Sequence, residues 1–253
     1  MRRLIPLVVG WLSINTNTFY PPAPPEEIMH CPVLIWLIEW DTRLILFDTG
    51  GTAPEVAYRT GHAHYQRSAA EAPQTKLREQ LGIDPADVDL VILSHLHWDH
   101  AANWSMFPRA TILVQSEEVR FALAPEPSHQ KYFDYHAHPA GYIVADRFTQ
   151  VQGTMPLADA AGLQLIPLPG HTPGSQGLLL DDGTRRFILA GDAVPLYRNW
   201  QTIPPVPNGI ACNMQQFRQT LTNLEGWKAI VFPSHEPALA RFDGKDILNG
   251  GGI

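Results

Sequence analysis

The sequence predicts an α/β fold in which two β-sheets pack face to face with helices on their outer surfaces. Short aliphatic and β-branched runs recur along the chain, each bounded by turn residues. Other stretches carry apolar residues at helical spacing. Each half of the chain passes through several strands and then a helix, which suits two layers of sheet within a single domain spanning residues 1–253.

Taken in order, the first run is Leu4–Leu12, after Arg2-Arg3. It has the charge and apolarity of a short leader. Pro6 and Gly10 interrupt it, and Ser13-Ile14-Asn15-Thr16 is a poor cleavage site, so a strand is expected. Pro21, Pro22, Pro24 and Pro25 make the segment up to Glu27 an extended loop. Strands are predicted over Val33–Trp40 and Arg43–Phe47, broken by Asp41-Thr42, and a helix over Thr75–Leu81. Leu90–Leu93 and Thr111–Val114 read as strands. Ser116–Leu123 reads as a helix capped by Ser116, with Glu117 and Glu118 in its first turn. Pro125 to Gly141 has no period and is expected as a surface excursion. Strands follow at Leu163–Leu168, Gly177–Leu180 and Arg186–Leu189. A helix over Met214–Leu224 and a last strand, Ala229–Phe232, complete the pattern.

Composition narrows the function. Apolar residues make up 45% and charged residues 17%, which excludes disorder as the main state. Acidic side chains number 25 against 18 basic ones, and no basic cluster exceeds Arg185-Arg186, so no nucleic-acid partner is expected. The longest strictly apolar run, Val33 to Ile38, is far short of the ~18 residues of a membrane helix, so no membrane partner is expected and the cytoplasm is the default compartment. Cys31 and Cys212 cannot form a disulfide framework. Histidine stands out, with 11 in an acidic chain.

Four potential metal ligands crowd the end of the Leu90–Leu93 strand: His95, His97, Asp99 and His100. His95 and His97 alternate, so an extended segment points both the same way, and a following turn can bring Asp99 and His100 to one cavity. Imidazole with carboxylate suits zinc, iron, manganese or cobalt rather than calcium. Three further candidates, His171, Asp192 and His235, also follow strands, and strand ends on one edge line a common crevice. Singly, His171 is as well read as a turn residue and Asp192 as a turn cap. Together, seven such ligands suit two metals that leave positions for water. His62, His64, His136 and His138 also form His-x-His pairs, but lack accompanying carboxylates and are expected as solvated loop residues.

The string His-x-His-x-Asp-His at 95–100, Gly-His-Thr-Pro-Gly at 170–174, Gly-Asp at 191–192, Ser-His at 234–235 and Asp48-Thr49-Gly50 resembles the metallo-β-lactamase superfamily. The resemblance implies an αββα sandwich of two mixed sheets with a dinuclear site. It assigns His95, His97 and His171 to one ion, Asp99, His100 and His235 to the other, and Asp192 to both. Asp48 is expected to orient a ligand histidine. The implied cofactors are two divalent ions, zinc first, and the implied chemistry is hydrolysis by a metal-bridging hydroxide, with Asp99 passing a proton to the leaving group.

Within the superfamily, the bridging Asp192 argues against true β-lactamases, and His97 against flavo-diiron proteins, which carry Glu there. The sequence is most similar to the quorum-quenching N-acyl-homoserine lactonases, which implies a small lactone as substrate. A thioesterase, an arylesterase or an idle metal-binding member is the alternative, as a monomer or homodimer. One position departs from the lactonases: Pro195 stands where they place a substrate-contacting Tyr, and Tyr197 is the expected replacement as a catalytic hydroxyl. Phe19, Tyr20, Trp98, Trp104 and Trp200 are candidates to line a cavity for an apolar tail, or simply to pack the core.

Overall fold

The protein is described here from a computed structural model, over residues 2–133 and 147–250. The first apolar run extends well past its predicted ends into strand β1 (Arg2–Asn15), paired antiparallel with β2 (Ile28–Trp40). Their register slips between Val8 and Trp11. Gly10 sits there with φ of 150°, and a Cβ on it would lie 2.4 Å from the Tyr65 ring, so this bulge requires glycine. The prolines between β1 and β2 do not run extended. They fold into successive tight turns, closed by Ala23 N–H on Tyr20 O and Glu27 N–H on Pro24 O.

The larger sheet has the order β4-β1-β2-β3-β5-β6-β7. Its remaining strands are β3 (Arg43–Phe47), β4 (Tyr65–Gln66), β5 (Leu90–Ile92), β6 (Thr111–Gln115) and β7 (Phe148–Val151). Strands β3, β5, β6 and β7 run parallel, so their C-terminal ends share one edge. The smaller sheet contains β8 (Met155–Pro156), β9 (Leu163–Pro167), β10 (Gln176–Asp181), β11 (Arg186–Leu189) and β12 (Ile230–Phe232), in the order β12-β11-β10-β9-β8. Only β11 and β12 are parallel there.

Strand alternation explains the layers. Leu34, Trp36, Ile38 and Trp40 of β2 face Leu178, Leu180, Phe187, Leu189 and Phe232 between the sheets. The intervening Val33, Ile35 and Leu37 face the opposite way, onto the cluster that includes Val119 and Ala122 of the helix Ser116–Leu123. The outer face of the smaller sheet, with Ile166, Leu179, Ile188 and Val231, is covered by Phe217, Leu221 and Leu224. These belong to the helix Met214–Gly226, capped by the Asn213 side chain accepting from Gln216 N–H. The result is the αββα sandwich of two mixed sheets.

Two predicted helices need correction. Over Thr75–Leu81 the chain makes a short α-turn, Pro73–Thr75, running into a wider π-type turn, Lys76–Gln80. At Ser116–Leu123 the capping residue is Gln115, and Ser116 is already helical. The short strand β4, the edge strands β7 and β8 and the helix Pro54–Arg59 carry too few periodic residues to have been foreseen.

The two sheets converge where the parallel strands end. Gln176, at the start of β10, donates from its backbone to Ser94 O and from its side chain to Leu93 O, both at 2.8 Å. A Cβ on Gly191 would lie 2.8 Å from Ser94 Cβ, so the turn after β11 closes directly onto the turn after β5.

Candidate metal centre

The loop leaving β5 stays extended through His97 (φ −66°, ψ 152°) and then enters the single helical turn Trp98–Ala101. That change of direction brings Asp99 and His100 back toward the imidazoles of His95 and His97. The Asp48-Thr49-Gly50 turn holds this helical turn in place. Thr49 donates to His100 O from its backbone and its hydroxyl, and the Asn103 side chain donates to the carbonyls of Thr49, Gly50 and Gly51. His171 arrives from the turn after β9, Asp192 from the turn after β11 and His235 from the turn after β12.

All seven sequence-predicted ligands meet. His171 Nε2 lies 3.2 Å from His95 Nε2 and 3.1 Å from His97 Nδ1. Asp192 Oδ1 lies 3.2 Å from His100 Nε2 and 3.3 Å from His235 Nε2, and its Oδ2 lies 3.4 Å from His171 Nε2. Asp99 Oδ2 lies 3.8 Å from His100 Nε2 and 3.7 Å from His235 Nε2. Ligand atoms therefore gather as His95/His97/His171, His95/His100/Asp192 and Asp99/His100/His235, each group within 4.8 Å.

The electrostatics favour a cation. Burial, reinforced by the neighbouring imidazoles, holds His95 and His97 well below the ordinary histidine range, and burial also lowers His171. Their ring nitrogens thus converge as neutral donors. Around His100 burial opposes charge, but the carboxylates of Asp192, Asp99 and Asp48 overcome it and hold the imidazole well above its usual range. Burial works against ionised Asp192 too, yet His100, His235 and His171 hold it well below the usual carboxylate range. Among the described residues, the Nε2 atoms of His100 and His235 are buried without a hydrogen-bond partner, although a carboxylate faces them. Buried polar atoms left in this state are expensive, and converging imidazoles beside two carboxylates fit a pair of divalent ions of the zinc type.

Five of the seven are aimed from behind, namely His95, His100, His171, Asp192 and His235. Asp48, at φ 63°, accepts from the backbone and hydroxyl of Ser94 and lies 2.8 Å from His100 Nδ1. Ser94 Oγ is 2.9 Å from His95 Nδ1. His171 Nδ1 donates to Ile210 O and His235 Nδ1 to Pro32 O, at 2.7 and 2.9 Å. Ser234 Oγ donates to Asp192 Oδ1 at 2.6 Å.

Glu118, in the first turn of the helix Ser116–Leu123 as expected, is fully buried. It accepts from Leu96 N–H at 2.9 Å, Thr172 Oγ1 at 2.5 Å and Gly174 N–H at 3.2 Å, bracing the loop of His95 and His97 against that of His171. Burial, partly opposed by those hydrogen bonds, pushes its carboxyl up to about 7. A helical carboxylate facing inward leaves no trace in local spacing. By contrast Ser234, directly before a ligand histidine, is visible in the Ser-His motif at 234–235.

Above the ligands lies a cavity of about 440 Å³, lined by Leu12, Ile14, Phe19, Trp98, His62, His64, Tyr132, Asp99 and Asp192 among others. Phe19 stacks on His235 at 4.7 Å, and the Tyr132 ring lies 4.9 Å from that of His97. Of the proposed aromatic lining, Phe19 and Trp98 reach the cavity. Trp104 and Trp200 pack into clusters on the outer faces of the two sheets, and Tyr20 lies against Thr202.

One expectation is corrected here. His62 is not a solvated loop residue, being 4% exposed and stacked on Trp98 at 4.2 Å, while His64 is half-buried, and both line the cavity. His136, His138 and Gly141 lie outside the described residues. Tyr197 does not line the cavity. Its backbone N–H donates to Glu236 at 2.9 Å, and its ring packs against the core between the sheets. Burial and the Glu236 carboxylate push its phenol up to about 12.

Comparison with known proteins agrees with this geometry. The family described as the metallo-beta-lactamase superfamily matches residues 29–244. The N-acyl homoserine lactonase AttM of Rhizobium radiobacter is 32% identical over 170 residues, which cover 62% of this chain and 61% of that protein. The match thus spans less than two thirds of that relative. The N-acyl homoserine lactonase AiiA of Bacillus thuringiensis subsp. kurstaki is 25% identical over 215 residues, 81% of each chain. A crystal structure of a quorum-quenching N-acyl homoserine lactone lactonase superposes with a TM-score of 0.76 at 24% identity, covering 94% of this chain and 93% of the other. At that identity the superposition speaks for the fold. No helix among the described residues is long and apolar enough to cross a membrane.

Proposed function

We propose, from the premise that the chain belongs to the metallo-beta-lactamase superfamily, that it is a dinuclear metal-dependent hydrolase that opens the ring of N-acyl homoserine lactones. The observation that carries this reading is Asp192. One carboxylate faces His171 with one oxygen and His100 and His235 with the other, so it can belong to two ions at once. His95, His97 and His171 would hold the first ion and Asp99, His100 and His235 the second, with zinc the ion best suited to this donor set. When bound, two such ions lower the pKa of water and polarise an acyl carbonyl, the chemistry that ester hydrolysis requires.

The chain's own residues do the rest. Asp99 is buried but lines the cavity, so its carboxylate can accept a proton there and return it to the ring oxygen as that oxygen leaves. Leu12, Ile14, Phe19 and Ile210 offer apolar surface to an acyl group and exclude water around the reacting carbonyl. N-acyl homoserine lactonases are among the curated proteins this chain is similar to, which supports the lactone over other acyl substrates. The test is a panel of acyl-homoserine lactones, acyl thioesters and nitrophenyl esters given to zinc-loaded protein, with ring opening followed by proton release. Turnover of lactones with the highest kcat/KM is expected. Robust turnover of thioesters or aryl esters with none of any lactone would overturn the substrate assignment.

A further inference from the structure

The cavity reaches the ligand clusters at His97, Asp99 and Asp192, so an acyl group that reacts there sets its carbonyl oxygen beside them. Attack on the acyl carbon moves an electron pair onto that oxygen, and a hydrogen-bond donor fixed nearby stabilises the charge. Thr18, Thr60 and Tyr132 line the cavity with hydroxyls. Thr60 Oγ1 is spent at the end of its own helix, donating to Val56 O at 3.0 Å and Ala57 O at 3.1 Å. Thr18 precedes Phe19, the ring stacked on His235. Tyr132 itself rests on a ligand, its ring 4.9 Å from that of His97 and tilted by 32°.

The turn that carries Tyr132 fixes it there. Gln130–Tyr132 is a single 3-10 turn, closed by Tyr132 N–H on His129 O at 2.9 Å and Phe133 N–H on Gln130 O at 3.1 Å. Phe133 is buried and meets His97 edge-on at 5.0 Å and Phe121 at 5.6 Å, so two successive rings pack on one ligand. The Lys131 ammonium stands 4.9 Å over the Tyr132 ring. The phenol is half-buried, and among the described residues no hydrogen bond uses its hydroxyl. A phenol anchored on a ligand with its donor uncommitted can turn that donor to a substrate oxygen.

We propose that Tyr132 is a catalytic residue whose hydroxyl donates a hydrogen bond to the acyl carbonyl oxygen as attack makes it an oxyanion. The proton stays on the phenol throughout. Collapse of the tetrahedral carbon re-forms the carbonyl and breaks the bond to the leaving oxygen, which takes its proton from Asp99 as above. The assignment rests on the hydrolase reading and adds to it a donor that no ligand supplies.

The test compares zinc-loaded wild type and Tyr132→Phe, which keeps the ring on His97, on hexanoyl homoserine lactone, nitrophenyl hexanoate and methyl hexanoate. The variant should lose kcat by on the order of 10²-fold with KM within about twofold, and with zinc content and melting temperature unchanged. Because the hydroxyl serves the carbonyl oxygen, the losses on the nitrophenyl and methyl esters should agree within about threefold. A loss confined to the methyl ester and the lactone would overturn the proposal by placing the donor on the leaving oxygen. So would a loss below about threefold, a loss accompanied by lowered zinc content, or a loss in Thr18→Val with Tyr132→Phe near wild type. Should Tyr132→Phe fail to fold, Tyr132→Leu makes the same comparison. If the wild type hydrolyses esters but opens no lactone, the lactone reading falls and the ester comparison still decides Tyr132; if it hydrolyses neither, the hydrolase reading and this assignment fall together.

Discussion

The carboxylates of Asp99 and Asp192 both border the cavity but differ in how closely they are held. Asp192 is enclosed by three imidazoles at 3.2–3.4 Å and by the Ser234 hydroxyl, whereas Asp99 faces two imidazoles at 3.7 and 3.8 Å. Asp99→Asn is therefore expected to lower kcat by on the order of 10²-fold and to weaken retention of one of two ions, because an amide ligates weakly and accepts no proton. Steady-state kinetics paired with elemental analysis checks both; normal rates with both ions held would remove the proton-transfer role. Tyr197→Phe should change kcat/KM by less than about threefold, since its backbone N–H is held by Glu236, its ring packs against the core between the sheets, and it is not among the residues that line the cavity. The contrast between these residues marks what the sequence carries. A ligand set written as His-x-His-x-Asp-His is local, because strand geometry turns spacing directly into direction. Whether Tyr197, two residues past Pro195, faces the cavity depends on how the helix Tyr197–Gln201 docks on Glu236, which no neighbouring residue announces.

Between elements, the governing contact is the Glu118 brace. Its carboxyl rises from 4.5 to about 7 on folding, so the folded state holds a proton that the unfolded chain has released between those values. Stability contributed by protonated Glu118 is present below pH 4.5 and is lost as pH rises through 7, a change of up to about 3 kcal/mol. Glu118→Gln, which does not titrate, should accordingly fall furthest behind the wild type near pH 5 and close the gap toward pH 8. Denaturant unfolding at both pH values, on protein freed of metal, measures this, and a gap that widens with pH would refute the sign. Element prediction succeeded where apolar alternation was long, as at Arg43–Phe47, whose predicted bounds are the observed ones. It faltered at Ser116, because Gln115 already turns the chain and side-chain capping is not used. It also missed β4, whose two residues owe their pairing to Trp11 and Leu12 rather than to their own propensity.

Across the whole molecule, ligands drawn from both sheets make the ions a clasp on the sandwich. Chelation is expected to lower the melting temperature by roughly 10 °C, from about 4 kcal/mol of linkage in a chain of this size, with zinc restoring it. Elemental analysis after reloading should give two ions per chain, and one at most would overturn the dinuclear assignment. The parts of the clasp are far apart in order of synthesis. The Pro32 carbonyl that orients His235 lies 203 positions earlier in the chain. While a nascent chain is still threading the ribosome, the turn after β5 can present its histidines, but neither the Ser234 hydroxyl that holds Asp192 nor the His235 imidazole has emerged. The full set of converging side chains therefore comes together only once the turn after β12 has been made.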